Sequence, residues 1–295
     1  MARASFIPSA DLKPMTTRSD AWGWWLTLHA WGVIALSMAL AVLLPHPLTI
    51  IAAFLVIGSR QLGLSILMHE AAHKTLFASP RLNDAVGHWL LSIPWGGDMH
   101  AYRNYHLKHH ANTQTDDDPD LHLSAKFPVT RASMLRKFAR DLTGLTGIKL
   151  RFYQLLSLAK PGHPLRGSTA AFLLVNAAAF ALFASIGLWW VYLGLWLAPL
   201  LTWYQFVLRL RNIAEHAMTT RDGNVLTTAR TTKTNWLTRI FVAPYWVNYH
   251  VEHHAYMYVP CYRLKDVHAR LRKDGHAMEY KESYRDVLRA SLVST

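Results

Sequence analysis

The sequence predicts an all-α integral membrane protein. It has four transmembrane helices in two hairpins and a cytoplasmic helical cap that holds a histidine-rich dimetal site. Three observations predict it: four apolar blocks of bilayer length, basic residues confined to one side of them, and histidines grouped at helical spacing.

The blocks run over 21–44, 48–68, 168–188 and 189–208. A span needs about 20 residues at about 1.5 Å of rise each. None of the four contains Lys, Asp or Glu, and Arg60 is their one charge. Soluble core helices are rarely so long and so uniformly apolar.

Of the 31 Lys and Arg residues, all but Arg60 lie in 1–20, 69–167 and 209–295. The connections at Pro45-His46-Pro47 and Leu188-Trp189 carry none. This positive-inside pattern places both termini and the 69–167 segment in the cytoplasm, in a multi-pass topology that suits a bacterial inner membrane. Trp22, Trp24, Trp25, Trp189, Trp190 and Trp203 stand near span ends, where indoles favour the headgroup level. The net charge of +13 is therefore read as contact with anionic lipid. It includes no groove-reading motif for nucleic acid.

The organisation that follows is a cytoplasmic N-terminal segment (1–20), a membrane domain (21–264) and a cytoplasmic helical tail (265–295). The apolar stretch 85–95 is too short to span and is expected along the interface or beneath the bundle. A basic amphipathic region follows over 124–158. No apolar core precedes Trp22, so the first helix is expected to remain as an anchor rather than a cleaved signal. The single cysteine, Cys261, excludes an intrachain disulfide and any cysteine-built zinc site.

Nine of the 17 histidines fall in four groups: His69 and His73 in HEAAH; His106, His109 and His110 in HLKHH; His216 in RNIAEH; and His250, His253 and His254 in HVEHH. Spacings of three and four share a helix face, so HLKHH and HVEHH are each expected to offer three imidazoles to one point. Asn212, four residues before His216, adds an amide oxygen on that face. The first and fourth groups begin at the cytoplasmic ends of the second and fourth spans, and the others lie in cytoplasmic segments. All four groups can thus converge on one side of the membrane. His29, His46, His88, His100, His122, His163, His268 and His276 are read as structural.

Nine imidazoles exceed any single coordination sphere, so the site is expected to be dinuclear. A hydrolytic dizinc site would usually use bridging carboxylates, and these groups contain few spare acids. Neutral imidazoles around a redox metal suit dioxygen chemistry, which favours iron. Metal-bound histidines usually pass their outer N–H to a carboxylate, which makes Glu70, Glu252, Asp98 and Asp117 the candidate partners. Arg103 and Lys108 are candidates to meet a substrate headgroup.

HEAAH, HLKHH and NYHVEHH, in this order around two membrane hairpins, resemble the three histidine boxes of the membrane fatty acid desaturase superfamily. HHANTQTDDDPDL after the second box is similar as well. Asn212 and His216 resemble the extra Asn-x-x-x-His ligand pair of its acyl desaturases. The resemblance spans roughly 22–264. It implies a non-heme diiron centre held by His69, His73, His106, His109, His110, Asn212, His216, His250, His253 and His254. It further implies dioxygen-dependent desaturation of a fatty acyl lipid, fed by a separate electron donor such as ferredoxin or a b-type cytochrome with its reductase. The first box has three residues between its histidines where some members have four, which leaves the subclass open. A hydroxylase or ketolase acting on a lipid, carotenoid or alkane would use the same site. HEAAH alone also fits a membrane zinc metalloprotease with Glu70 as general base, but that reading leaves HLKHH and HVEHH idle.

Overall fold

A computed structural model of the chain describes residues 6–293. The extremes of the predicted N-terminal segment and tail, 1–5 and 294–295, lie outside the described residues. Helix α1 spans Asp20–Leu43, capped by the Ser19 hydroxyl, which accepts from the Trp22 amide. Helix α2 spans Pro47–Ala72, with Pro47 at its first turn, where a missing N–H costs nothing. Then come α3 (Met99–Asn112), α4 (Arg131–Leu142), α5 (Leu145–Leu156) and α6 (Arg166–Ser185). The fourth long helix runs from Trp189 to His216, and its last part is α7 (Trp203–His216). Short α8 (His250–Ala255), α9 (Leu264–Lys273) and α10 (Tyr284–Ala290) complete the chain. Among the described residues, α1, α2, α6 and Trp189–His216 are long and apolar enough to cross a membrane.

The first and third spans lie within three residues of their predicted bounds, and the other two run well beyond their predicted ends. The second runs beyond 68 through Ala72, which draws His69 into the helix and leaves His73 as its cap. The fourth runs beyond 208 to His216, although it is not one regular helix. A π-helical stretch, Tyr192–Leu197, is followed by a break at Thr202 (φ −121°, ψ −86°). Pro199 lies just before the break and cannot donate to the helical ladder.

α2 is the central helix: every residue from Ile57 to Ala72 is buried, whereas α1 and α6 expose most of their apolar faces. An apolar, all-round helix needs such an enclosed position. Small residues permit it. A Cβ on Gly58 would sit 2.9 Å from the Trp203 ring. Polar side chains then join these helices to one another. Trp203 Nε1 donates to Ser59 Oγ at 3.0 Å, and Gln61 Nε2 donates to the Trp196 carbonyl at 2.7 Å. Asn176 Oδ1 accepts from both Tyr192 and Trp196.

The stretch 85–95 forms a π turn (Val86–Leu90) and a 3-10 turn (Ile93–Trp95). The basic region resolves into α4 and α5, and α5 exposes Leu145, Ile148, Phe152 and Leu155. Gly147 lets α5 meet the Thr202 break, since a Cβ there would lie 2.3 Å from the Leu201 carbonyl.

Two arginines set the ends of the helices that bear histidines. Arg103 donates to the carbonyls of Ala72 (2.9 Å) and Ala71 (3.0 Å) and pairs with Asp84 at 2.6 Å. Its guanidinium therefore finishes α2 instead of waiting for a headgroup. Lys108 is exposed. Arg230, 2% exposed, donates to the Ala217 carbonyl at 2.7 Å and pairs with Glu279 at 2.9 Å, tying the end of α7 to the tail. The tail also adds a parallel two-residue strand, β2 (Tyr280–Lys281), to β1 (Thr231–Thr232).

Candidate metal centre

The nine histidines arrive on four helix ends and form two abutting groups. His69 and His73 stand one turn apart at the end of α2. With His106, His110 and His253 they form a first group whose ligand atoms lie within 4.8 Å of one another. His109, His216 and His254 form the second. His250 joins it, with its Nε2 2.8 Å from that of His216 and 3.2 Å from that of His254. The groups touch where the rings of His110 and His254 stack, 4.2 Å between centroids.

The expectation that each three-histidine box serves one point is corrected here. On a helix of 3.6 residues per turn, positions i and i+4 differ by about 40°, whereas i+3 swings about 60° the other way. So His106 and His110 of α3 face the first group, and His109 faces the second. In α8 the division reverses: His250 and His254 face the second group, and His253 the first.

No metal is needed to describe this arrangement, but the donors fit one. Metal–nitrogen bonds of about 2.1 Å place neighbouring ligands of an octahedral ion about 3.0 Å apart, and of a tetrahedral ion about 3.4 Å apart. The Nε2 atoms of His106 and His253 each lie 3.0 Å from that of His110. Neutral imidazoles packed this way have too few ring protons to satisfy every nitrogen. His69 Nε2, buried in the same group, has no hydrogen-bond partner. Burial, and then the neighbouring imidazoles, push the pKa values of His106, His110, His250, His253 and His254 well below the usual histidine value. These rings stay neutral near pH 7, the state in which a histidine ligates.

The outer ring nitrogens identify the supporting residues. His109 Nδ1 lies 2.7 Å from Asp118 Oδ1, His216 Nδ1 lies 3.2 Å from the Thr228 carbonyl, and His254 Nδ1 lies 3.3 Å from Thr113 Oγ1. Asp118 also accepts the Gln114 and Asp120 amides. Burial raises its pKa, but the His109 contact and these amides outweigh that and hold it below the ordinary value.

Of the four carboxylates proposed from sequence, only Glu70 touches a clustered histidine. Its Oε1 is 3.3 Å from His69 Nδ1, while Oε2 accepts from Thr75 and from the Cys261 amide. Asp98 instead caps α3 by accepting the Ala101 amide, and Asp117 is exposed. Glu252 points off the back of α8, to Thr231 and to His268, each at 2.5 Å. Thus Asp118 holds the position assigned to Asp117, and nothing local in Asp116-Asp117-Asp118 distinguishes them. His100 packs on His88, 5.0 Å between ring centroids, away from both groups.

Asn212 lies one turn before His216 and lines a cavity of about 170 Å³ together with His106, His109, His216 and His250. Tyr102, Leu208 and Arg211 are shared with a neighbouring cavity of about 250 Å³. That one shares Tyr102, Leu150 and Arg151 with an outer cavity of about 510 Å³. The three cavities adjoin through these shared residues, and the first is lined by histidines of both groups. Sequence reasoning did not single out Tyr102, Leu208 or Arg211.

A family model described as fatty acid desaturase matches residues 44–285, a stretch that begins after α1 and includes all nine histidines and Asn212. The chain is 26% identical over 245 residues to a dihydrorhizobitoxine desaturase of Bradyrhizobium elkanii, covering 76% of this chain and 68% of that protein. It is 24% identical over 284 residues to an sn-1 oleoyl-lipid 12-desaturase of Picosynechococcus sp., covering 87% and 80%. It is 32% identical over 121 residues to a beta-carotene ketolase of Paracoccus sp., covering 40% and 48%.

Proposed function

From the premise that this chain belongs to the fatty acid desaturase family, we propose that it is a dioxygen-dependent fatty acyl lipid desaturase with two irons, one in each histidine group. One observation carries the reading: two touching, all-histidine groups with ring nitrogens 2.8–3.2 Å apart, the spacing of ligands around a six-coordinate ion. The ligands would be His69, His73, His106, His110 and His253 for one iron, and His109, His216, His250 and His254, with Asn212 beside them, for the other.

When bound, the irons supply the redox chemistry: two electrons and two protons join dioxygen with the two hydrogens of adjacent methylenes, giving a double bond and two waters. The protein positions and excludes. Asp118, the Thr228 carbonyl and Thr113 fix three imidazoles by their outer nitrogens. Tyr102 and Leu208, which line both cavities beside the histidines, would position an acyl chain there. We further propose that the histidine groups and both termini face the cytoplasm of a bacterial inner membrane. A separate ferredoxin, or a b-type cytochrome with its reductase, would supply the electrons.

A second reading, oxygen insertion by a ketolase or hydroxylase, is favoured by the similarity to a beta-carotene ketolase. The metalloprotease reading is disfavoured, because His69 and His73 face a five-histidine group and Glu70 is engaged by Thr75 and Cys261. Metal analysis of the purified chain tests the site: two irons per chain are expected, and a single zinc without iron sinks the proposal. Mass spectrometry of lipids from expressing cells tests the reaction. Loss of two hydrogens supports desaturation, and gain of oxygen supports the second reading.

A further inference from the structure

Arg60, the one charge in four apolar blocks, takes no part in the metal centre. It lies inside α2, 6% exposed. Its guanidinium donates to the Ile240 carbonyl and sits 5.6 Å from the centroid of the Tyr245 ring, and its Nε has no partner. No carboxylate pairs with it among the described residues. An ionisable residue inside a membrane helix is costly; it pairs with another charge or with backbone carbonyls and by default marks a functional site, and Arg60 has the carbonyl but no counter-charge.

Arg60 borders a cavity of about 730 Å³ between α1, α2 and the segment before α8, which shares no residue with the three adjoining cavities at the metal centre. Arg239 and Lys265 line the same cavity, and no Asp or Glu does. Neither of these cations has an acidic partner among the described residues. Below them Leu26, Val33 and Val56 supply an apolar wall, and Trp25 and Trp246 stand beside it. Tyr245 (φ 54°) and Trp246 (φ 59°) are consecutive aromatic residues in the left-handed region. Backbone held this way clusters at functional sites and needs its surroundings to maintain it.

Three cations call for a phosphate-type anion, which a free phosphate or a lipid headgroup can supply. The apolar wall, set in membrane helices, decides between them. We infer that this cavity binds a phospholipid of net negative charge. Its phosphate sits among Arg60, Arg239 and Lys265, and its acyl chain lies on Leu26, Val33 and Val56. The inference requires a bilayer but not the desaturase reaction, so either can fail without the other.

The test is native mass spectrometry of the full chain in detergent, titrated with phosphatidylglycerol or with phosphatidylcholine of the same acyl chains. Wild type should retain one phosphatidylglycerol, favoured over phosphatidylcholine by about tenfold or more. Arg60→Gln should lose that preference. Because a change at a buried arginine can disturb folding, the double variant Arg239→Gln, Lys265→Gln at the cavity rim provides a second arm. It should lose the preference while keeping wild-type iron content. Equal retention of the two lipids, or unchanged preference in the double variant, overturns the inference. Displacement of the lipid by millimolar inorganic phosphate overturns the lipid assignment in favour of a free anion.

Discussion

The two histidine groups draw on the same helices, α3 and α8, yet they are held differently. In the first, Glu70 stands 3.3 Å from His69 Nδ1, but His106 Nδ1 and His110 Nδ1 meet no hydrogen-bond partner and those rings pack on one another. In the second, Asp118, the Thr228 carbonyl and Thr113 each take an outer nitrogen, and a cavity opens beside Asn212. One group rests mainly on contacts among its own rings. The other is steered by hydrogen bonds and supplies three of the histidines that line the cavity beside Asn212. Identical ligands thus need not have identical duties, because what lies behind and in front of each ring decides its role.

The sharpest way to break this comparison is to remove one ligand from each group. His253→Ala and His109→Ala should each abolish turnover while leaving membrane insertion intact. Each should also leave about one iron bound, because each group brings its own set of imidazoles to a separate point. If either substitution removes all iron, the groups are a single unit and the comparison fails. Next in size is Asp118→Asn, which leaves His109 without its anionic partner. Loss of such a partner typically costs about 10–100-fold in metal affinity or activity. Glu70→Gln should cost less than Asp118→Asn in a side-by-side assay of turnover, since its contact with His69 is longer.

Asn212→Ala should lower turnover by roughly tenfold, about one hydrogen bond's worth to a charged centre, with two irons retained. Loss of iron instead would make Asn212 a direct ligand of structural weight. Glu252→Gln is expected to leave iron content and product formation close to wild type. Its cost should appear in thermal unfolding, about 1–3 kcal/mol for a buried group that loses a partner. A collapse in turnover would show that His268 and Thr231 relay to the metal.

The smallest effect concerns acidity. The buried histidines outside the spans have pKa values below the ordinary 6.5. An unfolded chain therefore binds more protons than the folded one, and stability falls as pH drops through about 6.5. Metal-stripped protein should melt at lower temperature at pH 5.5 than at pH 7.5. A melting temperature independent of pH would mean that the rings are accessible to water in the folded state.

How legible each part was depends on how local its cause is. Four spans could be read because bilayer thickness sets a length, and that length is written directly in the apolar runs. Their ends were less legible. The break at Thr202 arises near Pro199 and against α5, and the end of α2 is set by Arg103, which reaches back from α3. Histidine as the ligand type, and its grouping at spacings of three and four, follow from helical periodicity and needed no structure.

Periodicity alone could not say that α3 gives two rings to the first group and one to the second, and that α8 reverses the division. Neighbouring positions on one helix point in fixed directions, but which centre lies in each direction depends on how helices distant in sequence cross. The same limit explains Asp118, chosen over Asp117 by a turn that folds it onto His109, and Glu252, turned away toward His268. It also explains Arg60. As a lone charge in an apolar helix it stood out from the sequence at once, but only the tertiary structure placed Arg239 and Lys265 around the same cavity. Residue type and spacing are properties of the chain, whereas partnership is a property of the packing.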